Sequence, residues 1–189
     1  MTQRTMAVVM GLILGCLTST ALAGGGPDIA ELFGTATESS EWSTPDYTMH
    51  AQYAIDGIIG VPPWADTNTG DLTPWWQVDL GSTFVLTEID VWSEPGWSDR
   101  LNGGVVSILD STHATVWSSP LPATGSAAWL VQTFFPPVVA GEFIRIDNTK
   151  EYGIDLSEVQ AYGEPAPEPA TLGLLTLGGV LMIRLRRRP

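Results

Sequence analysis

The chain is poor in cysteine, histidine and positive charge: one Cys, two His and eight Lys plus Arg, against 21 Asp plus Glu in 189 residues. A single thiol cannot close an internal disulfide or build a cysteine-rich metal site. His50 and His113 are isolated and lack partners at ligand or triad spacing, which leaves them as surface histidines. A formal charge of −13 repels phosphate backbones, so nucleic acid is excluded as a partner. Charged residues nevertheless make up only 15% of the chain and tryptophan occurs eight times, which argues against a disordered acidic tail. Catalytic signatures are missing too: no His-Glu-x-x-His, no Gly-x-Ser-x-Gly and no phosphate-cradling glycine loop. So many carboxylates always offer an accidental pair, so acids alone do not argue for a glycosidase. The chain reads as non-enzymatic, with length for one ordinary domain and its appendages.

Both ends read as addresses. Residues 1–23 have the form of a secretory signal peptide: Arg4, the uncharged apolar run Met6 to Leu17, and Ala21-Leu22-Ala23 before a cleavage point ahead of Gly24. An N-terminal membrane anchor is the alternative, although the run is short of the roughly 20 residues that a span requires. A third reading takes Ile13-Leu14-Gly15-Cys16 as a lipidation box, with bulky Leu14 against it. At the other end, residues 164–169 form a Pro-rich spacer closing on Pro167-Glu168-Pro169. Residues 170–189 then combine the charge-free stretch Ala170 to Ile183 with Arg184, Arg186, Arg187 and Arg188. As a short hydrophobic helix that stretch reaches roughly 21 Å, against a hydrocarbon core of about 30 Å. The combination resembles the PEP-CTERM tail of exported bacterial proteins. It implies a membrane sorting enzyme as partner, at least transient membrane contact, and a location in the cell envelope or outside the cell. A plain C-terminal anchor is the alternative.

Between a linker at 24–33 and the spacer lies one expected domain, residues 34–163. From Gly24 onward it holds Arg100, Arg145 and Lys150 against nineteen acids, a net charge of −16. No window sustains a helical period. Short, β-branched or aromatic, alternating segments recur instead: Trp75 to Leu80, Thr83 to Trp92, Val105 to Leu109, Ala114 to Ser118, Trp129 to Phe135, Glu142 to Asp147 and Ser157 to Tyr162. The first places Trp76, Val78 and Leu80 on one face. The second places Ile89 and Val91 inward and Glu88 and Asp90 outward. Gly, Pro, Asn and Asp punctuate the gaps, and no internal repeat is present. The pattern predicts an all-β antiparallel sandwich or jelly roll.

Four segments in order resemble the coagulation-factor type C, or discoidin, domain of the galactose-binding-like jelly rolls. They are Ala36 to Trp42, the turn Ala54-Ile55-Asp56-Gly57, Pro74 to Gly81 (PWWQVDLG) with Arg100-Leu101-Asn102-Gly103-Gly104 after it, and Glu142 to Asp147 with the closing Leu156 to Gly163. The resemblance implies a binding module. It also implies a structural calcium held by Asp56 in the turn and Glu158 in the last strand, through the oxygen ligands that hard cations favour. The family often supplies a Thr two residues before a Trp as a further ligand, and here that position is Pro62. The alternative makes Asp56 a turn cap and Glu158 a solvated or Arg-paired residue. Arg100 matches an Arg of the family that braces loops.

Trp75, Trp76, Trp92, Trp117 and Trp129 fall on the expected strands and read as core or sheet surface. Trp42, Trp64 and Trp97 fall in segments with turn signals and are the candidate exposed plates. A sugar ring has an apolar face edged by hydroxyls, so its binder needs such a plate with hydrogen-bonding neighbours. Trp97 with Asp99 and Arg100 fits, and Trp42 and Trp64 are alternatives. Two functions follow: a carbohydrate-binding or adhesive module with a glycan or exopolysaccharide partner, or a structural matrix protein without a specific ligand.

Overall fold

In the computed structural model, residues 26–126, 131–150 and 152–167 are described. The expected signal peptide, the segment 170–189 and Trp129 lie outside them. Alternating side chains produce eight strands among these residues: β1 (Thr35–Glu38), β2 (Ala65–Asp66), β3 (Trp75–Ser93), β4 (Val105–Leu109), β5 (Thr115–Pro120), β6 (Val131–Phe134), β7 (Val139–Asp147) and β8 (Asp155–Pro165). All the pairings are antiparallel, in the order β2-β8-β3-β7-β4-β5, with β1 and β6 also joined to β3. The expected all-β antiparallel architecture is what the chain adopts. No helix among the described residues is long and apolar enough to cross a membrane.

The organising element is β3, which joins two segments expected as separate strands across Gly81-Ser82. Its first half runs between β1 and β7, and its second half is bordered by β8, β6 and the start of β7. The inward residues of β3 are Trp76, Val78, Leu80, Phe84 and Leu86 up to the register shift, then Ile89 and Val91 after it. That is a change of phase from even to odd positions. It coincides with the register shift between Leu86 and Glu88, where an extra residue turns the pleat over. Glu88, expected outward, sits at the changeover and is buried. Ile108, Ile144, Ile146, Leu156 and Val159 complete the interior, and the indole N–H of Trp76 donates to Ala51 O at 2.9 Å. Trp75 lies on the surface, with the Arg145 guanidinium 4.4 Å from its ring centroid. The Trp92 indole donates across the sheet to Gln160 at 3.1 Å, and Trp117 meets Phe134 edge-on.

The segment expected as a linker, 24–33, contains helix α1 (Ile29–Phe33). Asp28 caps it by accepting from Ala30 N at 2.9 Å, and the same oxygen accepts from Ala161 N in β8. Ile29 and Ala30 are buried, and burying Ile29 alone is worth about 1.5–3 kcal/mol. Five residues are too few to show a helical period, which is why the sequence concealed this element. At the far end β8 runs two residues beyond 163, and Ala166 N donates to Thr83 O.

Candidate functional site

β3 ends at Ser93, and the chain turns through Glu94-Pro95-Gly96 into a 3₁₀ turn, Ser98–Leu101. Leu101 is fully buried and anchors that turn to the core. A second loop pins it: Ser98 Oγ donates to Gly125 O at 2.6 Å, Thr124 Oγ1 donates to Ser98 O, and Asn102 exchanges hydrogen bonds with Thr124. On this fixed base Trp97 is 47% exposed, as the sequence predicted for a plate. Asp99 beside it is exposed as well.

Arg100 is committed inward. Its Nη1 lies 2.6 Å from Asp155 Oδ2, its guanidinium sits 4.1 Å from the Trp97 ring centroid, and its carbonyl accepts from Asn148 Nδ2. It braces loops, joining Asp155 and Asn148 to the Trp97 ring. Trp42 is half-buried, tilted against Tyr47 with centroids 5.8 Å apart. Its backbone N–H donates to Asp66 O at 2.7 Å. Trp64, two residues before Asp66, is half-buried with its indole nitrogen enclosed and without a partner.

Arg100 leads from Trp97 to a group of acids that nothing in the sequence singled out. Asp66, Glu94 and Asp155 are buried, each with an oxygen within 4.8 Å of the other two. Burial pushes Asp66 up to about 6, against the pull of Arg100. Burial and then the Asp66 charge push Glu94 to about 7 and Asp155 to about 8. They come from β2, the turn after β3 and the start of β8, so nothing in their spacing announces the meeting. Asp155 also begins a run of five buried residues in β8, where alternation no longer separates inside from outside.

A second feature is a groove of about 340 Å³ whose lining includes Thr37, Glu38, Glu41, His50 and Gln52. His50 Nδ1 lies 3.0 Å from Glu41 Oε1, so this histidine has a partner that its sequence surroundings hid. Burial, followed by the charges of Glu41 and Asp66, pushes Glu38 up to about 8, and both its oxygens are enclosed without a hydrogen bond.

Asp56 and Glu158 meet at the Ala54-to-Gly57 turn. Gly57 takes the left-handed φ of +77° that the turn requires, and its N–H donates to Glu158 Oε1 at 3.1 Å. Asp56 Oδ1 accepts from Ile58 N at 2.9 Å, the turn-capping arrangement. Amides therefore already claim one oxygen of each acid. Glu158 Oε2 is buried without a hydrogen-bond partner.

The profile of the coagulation-factor type C family described as NedA-like, galactose-binding domain matches residues 53–146. No curated protein matches the chain. Among solved structures, a mutant of the lectin binding domain of Lectinolysin complexed with Lewis b superposes with a TM-score of 0.64 at 22% identity, over 74% of this chain and 98% of that one. A fucose binding module of Streptococcus pneumoniae gives 0.61 at 21% identity, over 72% and 97%. The family 32 CBM from C. perfringens NanJ, in complex with galactose, gives 0.56 at 19% identity, over 71% and 96%. The fold is a galactose-binding-like jelly roll. In this jelly roll, Arg100 links Trp97 to Asp155 and so to the Asp66–Glu94–Asp155 group, Trp42 reaches Asp66 only through the backbone, and Gly57 next to Asp56 makes a separate turn-to-strand contact with Glu158.

Proposed function

We propose that the chain is an exported carbohydrate-binding module whose glycan stacks on Trp97 with Asp99 alongside. One observation carries this reading: an indole is 47% exposed on a loop that its neighbours hold rigid, with a cation stacked against its ring. An apolar plate kept in water at the cost of burial suits the apolar face of a sugar ring. The fold's likeness to solved modules bound to galactose and Lewis b supports it. The role is binding, without catalysis. Shallow sites of this kind bind weakly, with dissociation constants from millimolar to high micromolar, on the order of −4 to −6 kcal/mol. Retention on insoluble polysaccharides, with competition by simple sugars, is the test. Trp97→Ala is expected to abolish retention while leaving the melting temperature nearly unchanged. A variant that is retained like the wild type removes Trp97 from the site, and no retention of the wild type favours a structural matrix role.

Export through residues 1–23 and sorting through the PEP-CTERM tail belong to the same proposal, and place the module at the cell envelope. The proposal also includes a structural calcium at Asp56 and Glu158, supported by the orphaned Glu158 Oε2. Saturating calcium, at about a hundred times its dissociation constant, then stabilises the fold by roughly 2.7 kcal/mol. Asp56→Ala is expected to lose that increment. Melting curves that coincide in calcium and in chelator remove this site.

A further inference from the structure

We infer that Asp66, Glu94 and Asp155 form a second divalent-cation site, for calcium, beneath the Trp97 loop. Convergence of acids is not enough to make a site, but these acids carry a further mark. Asp155 is 0% exposed and Asp66 is 8% exposed, and the Oδ1 of each is enclosed with no hydrogen-bond partner. Neighbouring backbone donors are directed elsewhere: Thr67 N to Ile154 O, Ile154 N to Thr67 Oγ1, and Glu94 N to Asp155 O. Arg100 occupies Asp155 Oδ2 and leaves Oδ1 without a partner, in a residue with an oxygen within 4.8 Å of both other acids.

Charge and size select the ion. Fully ionised, three carboxylates against one guanidinium would leave two negative charges in the interior, a costly arrangement that retained protons relieve and that one divalent cation would neutralise in their place. Oxygens on opposite sides of a calcium, at about 2.3–2.6 Å each, stand about 4.6–5.2 Å apart; around magnesium, at about 2.0–2.1 Å, they stand about 4.2 Å apart. Oxygens that all lie within 4.8 Å of one another fall inside the span of a calcium shell. The donors are all hard oxygens, which disfavours thiophilic metals. A bound ion would fasten together β2, the start of β8 and the turn that carries Trp97. It would thereby order the proposed sugar plate while remaining independent of whether a sugar binds.

Calorimetric titration of the chelator-treated full-length protein with calcium chloride at neutral pH tests this, with magnesium chloride as the comparison. The expected result is a calcium binding event weakened at least tenfold in Glu94→Gln and in Asp66→Asn and retained in Glu158→Gln. Each amide keeps the shape of the acid it replaces and removes a buried charge, and near-ultraviolet circular dichroism reports whether the core is intact. If one amide variant fails to fold, the other decides. Absence of calcium binding by the wild type, or unchanged isotherms in the folded amide variants, overturns the assignment. Loss of the only event in Glu158→Gln moves the ion to the Asp56 pair and overturns it as well.

Discussion

Arg100 holds the fully buried Asp155, and the two are not equivalent as targets. Arg100→Met leaves a carboxyl group in the interior without its cation, and is expected to lower stability by about 2–4 kcal/mol in urea denaturation. Asp155→Asn removes the buried acid itself and is expected to cost less. Glu38 gives a pH-dependent counterpart, with Glu41 and Asp66 as the charges acting on it. Its carboxyl is pushed up to about 8, so the folded state keeps a proton that the unfolded chain surrenders near its ordinary value of 4.5. Below that value Glu38 has no effect on stability. As pH rises toward 8 it destabilises progressively, and above 8 the penalty is constant. Glu38→Gln is therefore expected to be more stable than the wild type at pH 8, on the order of 1–2 kcal/mol after solvent screening, and equal to it near pH 4. Denaturation midpoints at the two pH values check this.

Among the elements, β7 is set against β4 by the absence of a side chain at Gly141, where an added Cβ would overlap Ile108 and press on Leu109 O. Gly141→Ala is expected to destabilise by about 1–3 kcal/mol, read from the melting temperature. Much of this level was legible in the sequence. Trp76, Val78, Leu80, Ile89 and Val91 face inward because period-two alternation reports burial wherever one face of a strand meets solvent. That signal fails where both faces are covered, as from Asp155 to Val159, and with it went the buried acids. It fails also for α1, too short to display a period, and for the bulge that turned Glu88 inward. The exposure of Trp97 could be read from its turn-rich surroundings. Its anchoring by Ser98, Thr124 and Asn102 could not, since those contacts cross more than twenty residues.

For the whole molecule, a net charge of −16 on the central region means that folding gathers like charges. Raising ionic strength from about 0.01 M to about 0.15 M shortens the screening length from about 30 Å to about 8 Å. The melting temperature is expected to rise by several degrees over that range, before any calcium is added. The proposed export makes a separate demand at this scale: intact mass of the protein recovered outside the cytoplasmic membrane is expected to lack residues 1–23, and a retained leader would remove the secretion reading. The long strand β3 has a consequence in time. Along most of its nineteen residues it has partners on both sides, drawn from β1, β6, β7 and β8. No small fluctuation can free it, because releasing it detaches four neighbours together. Its amide hydrogens, those of Val78 and Ile89 among them, should exchange with deuterium only as fast as the entire molecule opens, and so act as a clock for global unfolding. Those of β5, bonded among the described strands to β4 alone, should exchange long before.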